Sequence, residues 1–190
     1  MKVLGIAGSP RRGGNTDRLL AEVLRGAADS GAEVETIVVN DLDILPCQHC
    51  DACFDAGRCK YGDDMQMVYH KLENADRVVL ASPLHFMGIT AQTKALIDRC
   101  QALWARKYIL EIPPLGDRRR RRGLFVAVGG IQKQDLFKAA LVTAKAFFAT
   151  LDIEYAGDLL FSGIDAADDI LEHPEALQQA YEAGRELAAD

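Results

Sequence analysis

The stretch "VLGIAGSPRRGGNT", residues 3–16, joins a short apolar run to a loop that is rich in glycine. The run at residues 3–7 ends in glycine, serine and proline, which predicts a buried strand that leads into a loop. Beyond the loop, apolar residues such as Leu20 and Leu24 recur at helical spacing, and Gly31 ends that pattern. A strand, a loop and a helix in this order begin a pattern that the rest of the chain continues.

Further strands and helices alternate along the whole chain. Apolar runs predict four more strands, at residues 34–39, 77–81, 124–128 and 153–161. Helices are predicted at residues 15–30, 63–74, 90–107, 136–151 and 174–189. Five strands that alternate with helices imply a doubly wound parallel sheet with helices on both faces. Ligands of such sheets bind outside the carboxyl ends of the strands, so the loops after strands one, three and four are the candidate binding segments.

The composition is that of an ordinary globular chain. The 190 residues suit one domain, and 49% of them are hydrophobic. The net charge of −6 argues against nucleic acid as the main partner. No apolar run is long enough to span a membrane, and the first residues lack a secretory signal, so no membrane association and a cytoplasmic location are predicted. Clustered cysteines in that compartment more often bind metal or do redox work than form disulfides.

The loop at residues 8–16, here called the phosphate loop, has the features of an anion-binding segment. It would present free backbone N–H groups at the positive end of a helix dipole. Its glycines allow close approach of a ligand, and its side chains offer neutral donors and positive charge: Ser9, Arg11, Arg12, Asn15 and Thr16. It contains neither a G-x-G-x-x-G fingerprint nor a Walker sequence. The alternative is a flexible turn with an Asn-Thr helix cap.

The loop "ASPLHFMGIT", residues 81–90 and here called the ring loop, is apolar and aromatic where loops are usually polar. It predicts a surface on which a flat ring can lie, and the alternative is a segment buried in the core or in a subunit interface. Gly129 and Gly130, after strand four, would bring backbone amides to the other side of that ring. A phosphate loop, a ring surface and these glycines together describe a site for flavin mononucleotide (FMN).

Four cysteines follow strand two in "PCQHCDACFDAGRC", residues 46–59. The spacing of Cys47, Cys50 and Cys53 is the compact run with which bacterial ferredoxins bind a [4Fe–4S] cluster, and Cys59 can supply the fourth ligand. Structural zinc, which usually takes two ligand pairs separated by a longer insert, is one alternative. A set of free redox thiols is another. Cys100 stands apart and is predicted to be a buried packing residue.

The segments "GSPRRGGNT" and "SPLHFMGITAQTKALIDR" resemble those of the flavodoxin-like family of NAD(P)H-dependent FMN reductases. The resemblance covers nearly the whole chain and implies a single flavodoxin-like FMN-binding domain over residues 1–190. By position, it implies that the FMN phosphate is held by Ser9, Arg11, Asn15 and Thr16. It further implies that the isoalloxazine is bordered by Pro83, Leu84, His85, Phe86 and Gly88, with Gly129 and Gly130 closing over it.

This fold with a cysteine loop, at residues 46–62, resembles the iron–sulfur flavoproteins of anaerobic microbes. The resemblance implies an oxidoreductase in which Cys47, Cys50, Cys53 and Cys59 bind one [4Fe–4S] cluster. The flavin rather than a catalytic side chain would carry the chemistry, with ferredoxin or NAD(P)H as the redox partner and a homodimer or homotetramer as the assembly. The alternatives are a cluster-free NAD(P)H-dependent FMN or quinone reductase and a plain flavodoxin-like electron carrier.

Five consecutive arginines occupy residues 118–122. A binding site for the 2′-phosphate of NADP or for an acidic partner is one interpretation. A solvated turn that leads into strand four is the interpretation that a charge run favours, because such runs usually mark exposed segments.

Overall fold

A computed structural model describes residues 1–112 and 120–189. Its five strands form one parallel sheet in the order β2-β1-β3-β4-β5. The strands are β1 (Lys2–Ala7), β2 (Glu33–Val38), β3 (Arg77–Ala81), β4 (Arg122–Gly129) and β5 (Glu154–Ser162). This strand order is that of the flavodoxin-like doubly wound fold, which confirms the predicted fold class.

Helices cover both faces of the sheet. They are α1 (Asn15–Asp29), α2 (Ala52–Ala56), α3 (Met65–Asn74), α4 (Ala91–Arg99), α5 (Gln101–Tyr108), α6 (Lys138–Thr150) and α7 (Pro174–Ala189). Alternate residues of β1 pack on opposite faces of the sheet. Leu4 packs in the core under α3 to α6, and Val3 packs in the core under α1 and α7. Within the described ranges, no helix has the length and apolarity needed to cross a membrane.

The helix predicted at residues 90–107 is two helices, α4 and α5, with the break at Cys100. The prediction of one helix was wrong because a contact from another element changes the hydrogen bonding there. The Tyr69 hydroxyl donates to the Arg99 carbonyl at 2.6 Å. The Leu103 amide, which would pair with that carbonyl in a continuous helix, donates instead to the Cys100 carbonyl at 2.9 Å.

The arginine run is not a uniformly solvated turn. Arg121 is 2% exposed, and its guanidinium donates to backbone carbonyls at the ends of two helices: those of Leu72 in the last turn of α3 and Ala75 just after it, and that of Leu151 just after α6. A cation at helix C-termini satisfies carbonyls that lack a partner within the helix. Arg120 is exposed and pairs with Glu154. Arg118 and Arg119 lie outside the described residues.

Candidate functional site

A cleft of about 280 Å³ opens at the carboxyl ends of the strands. Its walls come from the loops that follow β1, β3, β4 and β5, on either side of the point between β1 and β3 where the strand order reverses. Eight predicted site residues line it: Ser9, Arg11, Asn15, Thr16, Pro83, Leu84, His85 and Gly130. The other lining residues are Pro10, Gly14, Val128, Ile164 and Asp165.

Hydrogen bonds within the phosphate loop fix its shape. The Arg11 amide donates to Ser9 Oγ at 3.1 Å, and that hydroxyl donates back to the Arg11 carbonyl at 3.0 Å. Gly13 has a φ of 63°, a left-handed conformation that suits glycine, and its amide donates to Asp17 Oδ2 at 2.9 Å. Burial raises the pKa of Asp17, while that amide acts in the opposite direction. The loop is therefore shaped by its own residues before any ligand binds.

Gly8 serves the packing of α4 rather than the approach of a ligand. Its carbonyl accepts from Thr90 Oγ1 at 2.7 Å and from Thr93 Oγ1 at 3.2 Å. A Cβ at Gly8 would collide with Thr93 Oγ1 and lie 2.7 Å from the Ala81 carbonyl oxygen. The phosphate loop is thus held directly against the helix that follows the ring loop.

The two arginines of the phosphate loop have different partners. Arg12 forms an ion pair with Asp41, in the turn that follows β2. Arg11 is exposed at the cleft, and within residues 1–112 and 120–189 its guanidinium makes no ion pair or hydrogen bond. Arg11 is accordingly the cation of this loop that is available to an anion in the cleft.

Asn15 joins the start of α1 to the loop after β5. Its Nδ2 donates to the Ala166 carbonyl at 2.8 Å, and its Oδ1 accepts from the Ile170 amide at 3.2 Å. The side chain is buried, so these contacts hold in place the segment that supplies Ile164 and Asp165 to the cleft. Direct contact between Asn15 and a phosphate stays a prediction.

The ring loop ends in a tight turn. His85 and Gly88 exchange two backbone hydrogen bonds, at 2.9 and 3.1 Å, and Phe86 and Met87 between them have positive φ angles. The Phe86 side chain is fully exposed. Neither Phe86 nor Gly88 lines the cleft, and nor does Gly129, beside which Leu136 fills the available space. Roles of these three residues in binding a flavin stay predictions.

Cys47, Cys50, Cys53 and Cys59 line a second cavity, the cysteine cavity, whose walls also include Arg99 and Gln101. All four are free thiols, and burial raises the pKa of Cys53, whose Sγ lies 3.9 Å from the Gln101 carbonyl oxygen. Four thiols around one cavity fit a sulfur-ligated group in their donor chemistry. In the described part of the chain, however, no three such side chains are placed to hold a metal ion.

Cys100 is separate from this set. It is 2% exposed within the core, its thiol lies 3.6 Å from the Leu96 carbonyl oxygen, and burial raises its pKa. It does not line the cysteine cavity. The prediction of a packing residue is confirmed.

The cleft and the cysteine cavity are separate. They have no lining residue in common. The Arg12–Asp41 ion pair connects the phosphate loop to the segment that leads from β2 into the cysteine loop. None of the four cysteines therefore forms part of the cleft.

Sequence reasoning missed two groups of residues. Ile164 and Asp165 line the cleft because the loop after β5 also lies at the carboxyl edge of the sheet, and the same topological rule applied to strand five would have found them. Arg99 and Asp63, which pair beside the cysteine cavity, carry no signal in the sequence. An arginine in an amphipathic helix is normally solvent-exposed.

Comparisons with known proteins relate the chain to FMN reductases and to iron–sulfur flavoproteins. A family model described as NADPH-dependent FMN reductase matches residues 1–153. An iron–sulfur flavoprotein of Methanocaldococcus jannaschii is 43% identical over 103 residues, which is 54% of this chain and 53% of that protein. One from Methanosarcina thermophila is 34% identical over 130 residues, 68% of this chain and 64% of that protein. The chain thus spans between about half and two thirds of the length of these curated relatives.

Among solved structures, a flavone reductase superposes with a TM-score of 0.75 at 25% sequence identity. The superposition covers 100% of this chain and 62% of that one. The shared architecture therefore extends beyond the residues that the family model matches.

Proposed function

This chain belongs to the NADPH-dependent FMN reductase family, and from that premise we propose that it is an FMN-dependent oxidoreductase of the iron–sulfur flavoprotein type. It would pass electrons between FMN, a [4Fe–4S] cluster and an external donor or acceptor. The observation that carries the proposal is the presence of two cavities, one at the carboxyl edge of the sheet and one lined by four cysteines.

The cleft suits FMN in the distribution of its charge and its apolar surface. The Arg11 guanidinium and the backbone amides at the start of α1 would hold the phosphate, because a cation and a helix N-terminus both favour an anion there. The half-buried Pro83 and Leu84 and the exposed His85 would border the flavin ring. Bound FMN supplies the capacity to take electrons singly or in pairs.

The cysteine loop would hold the cluster through Cys47, Cys50, Cys53 and Cys59. Thiolate ligands suit iron–sulfur clusters, and the spacing of the first three is that of ferredoxins. A cluster exchanges electrons one at a time, so a one-electron partner such as ferredoxin on one side and NAD(P)H on the other are the proposed partners. FMN would be the point at which the two kinds of transfer meet.

Anaerobic expression of the four single Cys→Ala variants tests this function, with iron and FMN measured per chain. We expect iron to be lost and FMN to be retained, because the cysteines do not line the cleft. Cys100→Ala is the matched control and should keep both cofactors. Wild-type protein that holds zinc, or no metal at all, under these conditions would show that the cluster assignment is wrong.

A cluster-free NAD(P)H-dependent FMN or quinone reductase is the second candidate. The observation that favours it is that, within the residues described, no three metal-binding side chains are arranged around one point. The absorption spectrum distinguishes the two, because FMN alone is yellow and a cluster adds broad brown absorbance. Heat release of the flavin followed by chromatography then checks FMN itself, and recovery of FAD alone would contradict both candidates.

A further inference from the structure

A buried arginine lies beside the cysteine cavity. Arg99, the last residue of α4, is 1% exposed and is one of the lining residues of that cavity. A charged guanidinium is rarely buried this completely unless it is paired and fully hydrogen-bonded, because removal from water is costly. The buried guanidinium of Arg99 therefore requires hydrogen-bond acceptors, and both of its Nη atoms have them.

The partners of Arg99 lie at the two ends of the cysteine loop. Its Nη1 donates to the Leu45 carbonyl at 2.7 Å, just before the loop begins. The two Nη atoms also donate to the Asp63 carboxylate, at 2.5 and 2.9 Å, just after the loop ends. The Leu45 amide donates to the same carboxylate at 3.0 Å. The Asp63–Arg99 pair thus joins the ends of the loop at residues 46–62.

A second pair of contacts reinforces this junction. The Asp43 amide donates to Asp64 Oδ2 at 2.8 Å, and the Asp64 amide donates to the Asp43 carbonyl at 3.2 Å. The cysteines are therefore carried on a loop whose ends are fixed, so the loop can present its thiols to one cavity.

One donor of Arg99 remains unused. Its Nε–H is buried and has no hydrogen-bond partner among the described residues, although both Nη atoms have partners. Buried donors in folded proteins are nearly always satisfied, so an unpaired one beside a cavity indicates a missing acceptor. The thiols that line the same cavity supply the chemistry of that acceptor: a thiolate, or a sulfur atom of a group that thiolates bind.

We propose that Arg99 is a positioning residue for the cysteine site. Through Asp63 it closes the base of the cysteine loop, and through its free Nε–H and its charge it stabilises the negatively charged sulfur group that the cysteines hold. The second role rests on the proposed cluster. A positive charge and a donated hydrogen bond near a cluster favour its reduced, more negative state, so Arg99 raises the reduction potential.

The test compares Arg99→Gln, Arg99→Lys and Asp63→Asn with the wild-type protein, all prepared anaerobically. In the apo proteins, the rate at which a soluble disulfide reagent modifies the cysteines measures closure of the loop. We expect roughly a tenfold faster reaction in Arg99→Gln and Asp63→Asn. This ratio is equivalent to a loss of about 1.4 kcal/mol in the free energy that keeps the loop closed. Arg99→Lys should lie between them and the wild type, because lysine keeps the charge but not the planar pair of donors.

In the cluster-loaded proteins, the midpoint potential of the cluster measures the second role. This potential should shift to a more negative value in Arg99→Gln and by a smaller amount in Arg99→Lys. If Arg99→Gln holds no iron, the measurement on Arg99→Lys alone tests the effect. Arg77→Gln is the control for loss of a buried guanidinium, because Arg77 is 3% exposed and lines neither cavity. It should leave both the thiol reaction rate and the potential unchanged.

The outcomes separate this inference from the proposed function. Wild-type protein without iron would refute the cluster and, with it, the effect of Arg99 on potential. If the wild type holds the cluster and its midpoint potential equals that of Arg99→Gln and of Arg99→Lys, the effect of Arg99 on potential alone is refuted. Thiol reaction rates equal to the wild-type rate in Arg99→Gln and Asp63→Asn would refute the closure of the loop.

Discussion

Arg11 and Arg12 show how two identical neighbours acquire different roles. Arg12 is paired with Asp41, so its charge is engaged at the junction between two loops. Arg11 lines the cleft and has no such partner in the part of the chain that the structure describes. The composition of the loop offers both as positive charges, and the resemblance to FMN reductases implies a phosphate contact for Arg11 alone. The position of Asp41 gives a physical reason for that difference.

We predict that Arg11→Ala weakens FMN binding and that Arg12→Ala does so much less. A charge-assisted hydrogen bond to phosphate contributes about 1.5–3 kcal/mol, which corresponds to a dissociation constant raised roughly 10- to 150-fold. Titration of the apo protein with FMN, followed by quenching of flavin fluorescence, measures the change. Equal weakening in the two variants would contradict the assignment of the phosphate contact to Arg11.

Asp63 makes the stability of the protein dependent on pH in acid. Burial raises the pKa of its carboxyl, but the Arg99 guanidinium and the Leu45 and Met65 amides outweigh burial, so the pKa lies below its usual value of 3.8. A carboxyl whose pKa is lower in the folded state stabilises that state above the unfolded pKa. The contribution is lost as the pH falls through the lower, folded value.

We therefore predict that Asp63→Asn lowers the free energy of unfolding at neutral pH and that the difference from wild type shrinks below about pH 4. Urea unfolding of both proteins at a series of pH values from neutral to acid measures it. Asp55→Asn, at an exposed carboxyl on α2, controls for the loss of one negative charge. A difference that stays constant down to the lowest pH would contradict the role of the ionised carboxylate.

At the scale of elements, the sequence predicted what depends on local pattern and failed where distant contacts decide. All five strands and the helix at Pro174–Ala189 follow from apolar spacing and turn residues. No glycine or proline marks the break at Cys100 in the sequence. The break arises because the Tyr69 hydroxyl bonds to the Arg99 carbonyl, 30 residues away along the chain. The short helix α2 lies within the cysteine loop, whose sequence shows spacing for ligands rather than a helical period.

The candidate site likewise has features that the sequence predicts and features that depend on distant contacts. Residues at the strand ends of β1 and β3 were predicted because topology fixes where those ends lie. Which side chain faces the cleft depends on packing that the sequence does not state. Gly129 makes room for Leu136, and Gly130 next to it lines the cleft, while a contact between Gly129 and the flavin stays a prediction.

The contact between α1 and α7 provides a prediction about stability. Gly184 of α7 lies against the Val23 carbonyl of α1, and a Cβ there would fall well inside the 3.0 Å that real contacts respect. Alanine favours a helix by about 1 kcal/mol over glycine, but overpacking against a rigid backbone costs about 1–3 kcal/mol or more. Gly184→Ala should therefore lower the midpoint of urea unfolding.

Gly62→Ala is the matched control for this substitution. A Cβ at Gly62 would meet open space, so the midpoint should stay within error of the wild type. An unchanged or higher midpoint in Gly184→Ala would mean that the two helices separate easily, contrary to the close packing described.

For the whole molecule, exposed aromatic side chains predict self-association. Phe86 is fully exposed, and Trp104 and Tyr108 form an exposed pair on α5 with ring centroids 5.5 Å apart. Apolar surface of this kind is typical of subunit interfaces. We expect sedimentation at micromolar concentration to show a dimer or tetramer. Wild-type protein that sediments only as a monomer would contradict the prediction.

A variant localises the interface. Phe86→Asn should shift the distribution toward monomer, because asparagine tolerates the positive φ at this position and removes the apolar ring. Leu171→Asn, at another exposed apolar residue, is the control and should leave the assembly unchanged.

The pairing of α1 with α7 also has a consequence for synthesis of the protein. The Tyr181 hydroxyl contacts Asp29, which is 152 positions away in the sequence, so the pairing of these two helices is strongly non-local. At roughly 5–20 residues per second, a ribosome delivers α7 on the order of ten seconds after α1. During that interval Val23 and its neighbours lack their helical cover, and chaperones or other nascent chains can bind them. We therefore expect translation speed, as well as the folded structure, to affect how much of the protein reaches the native state.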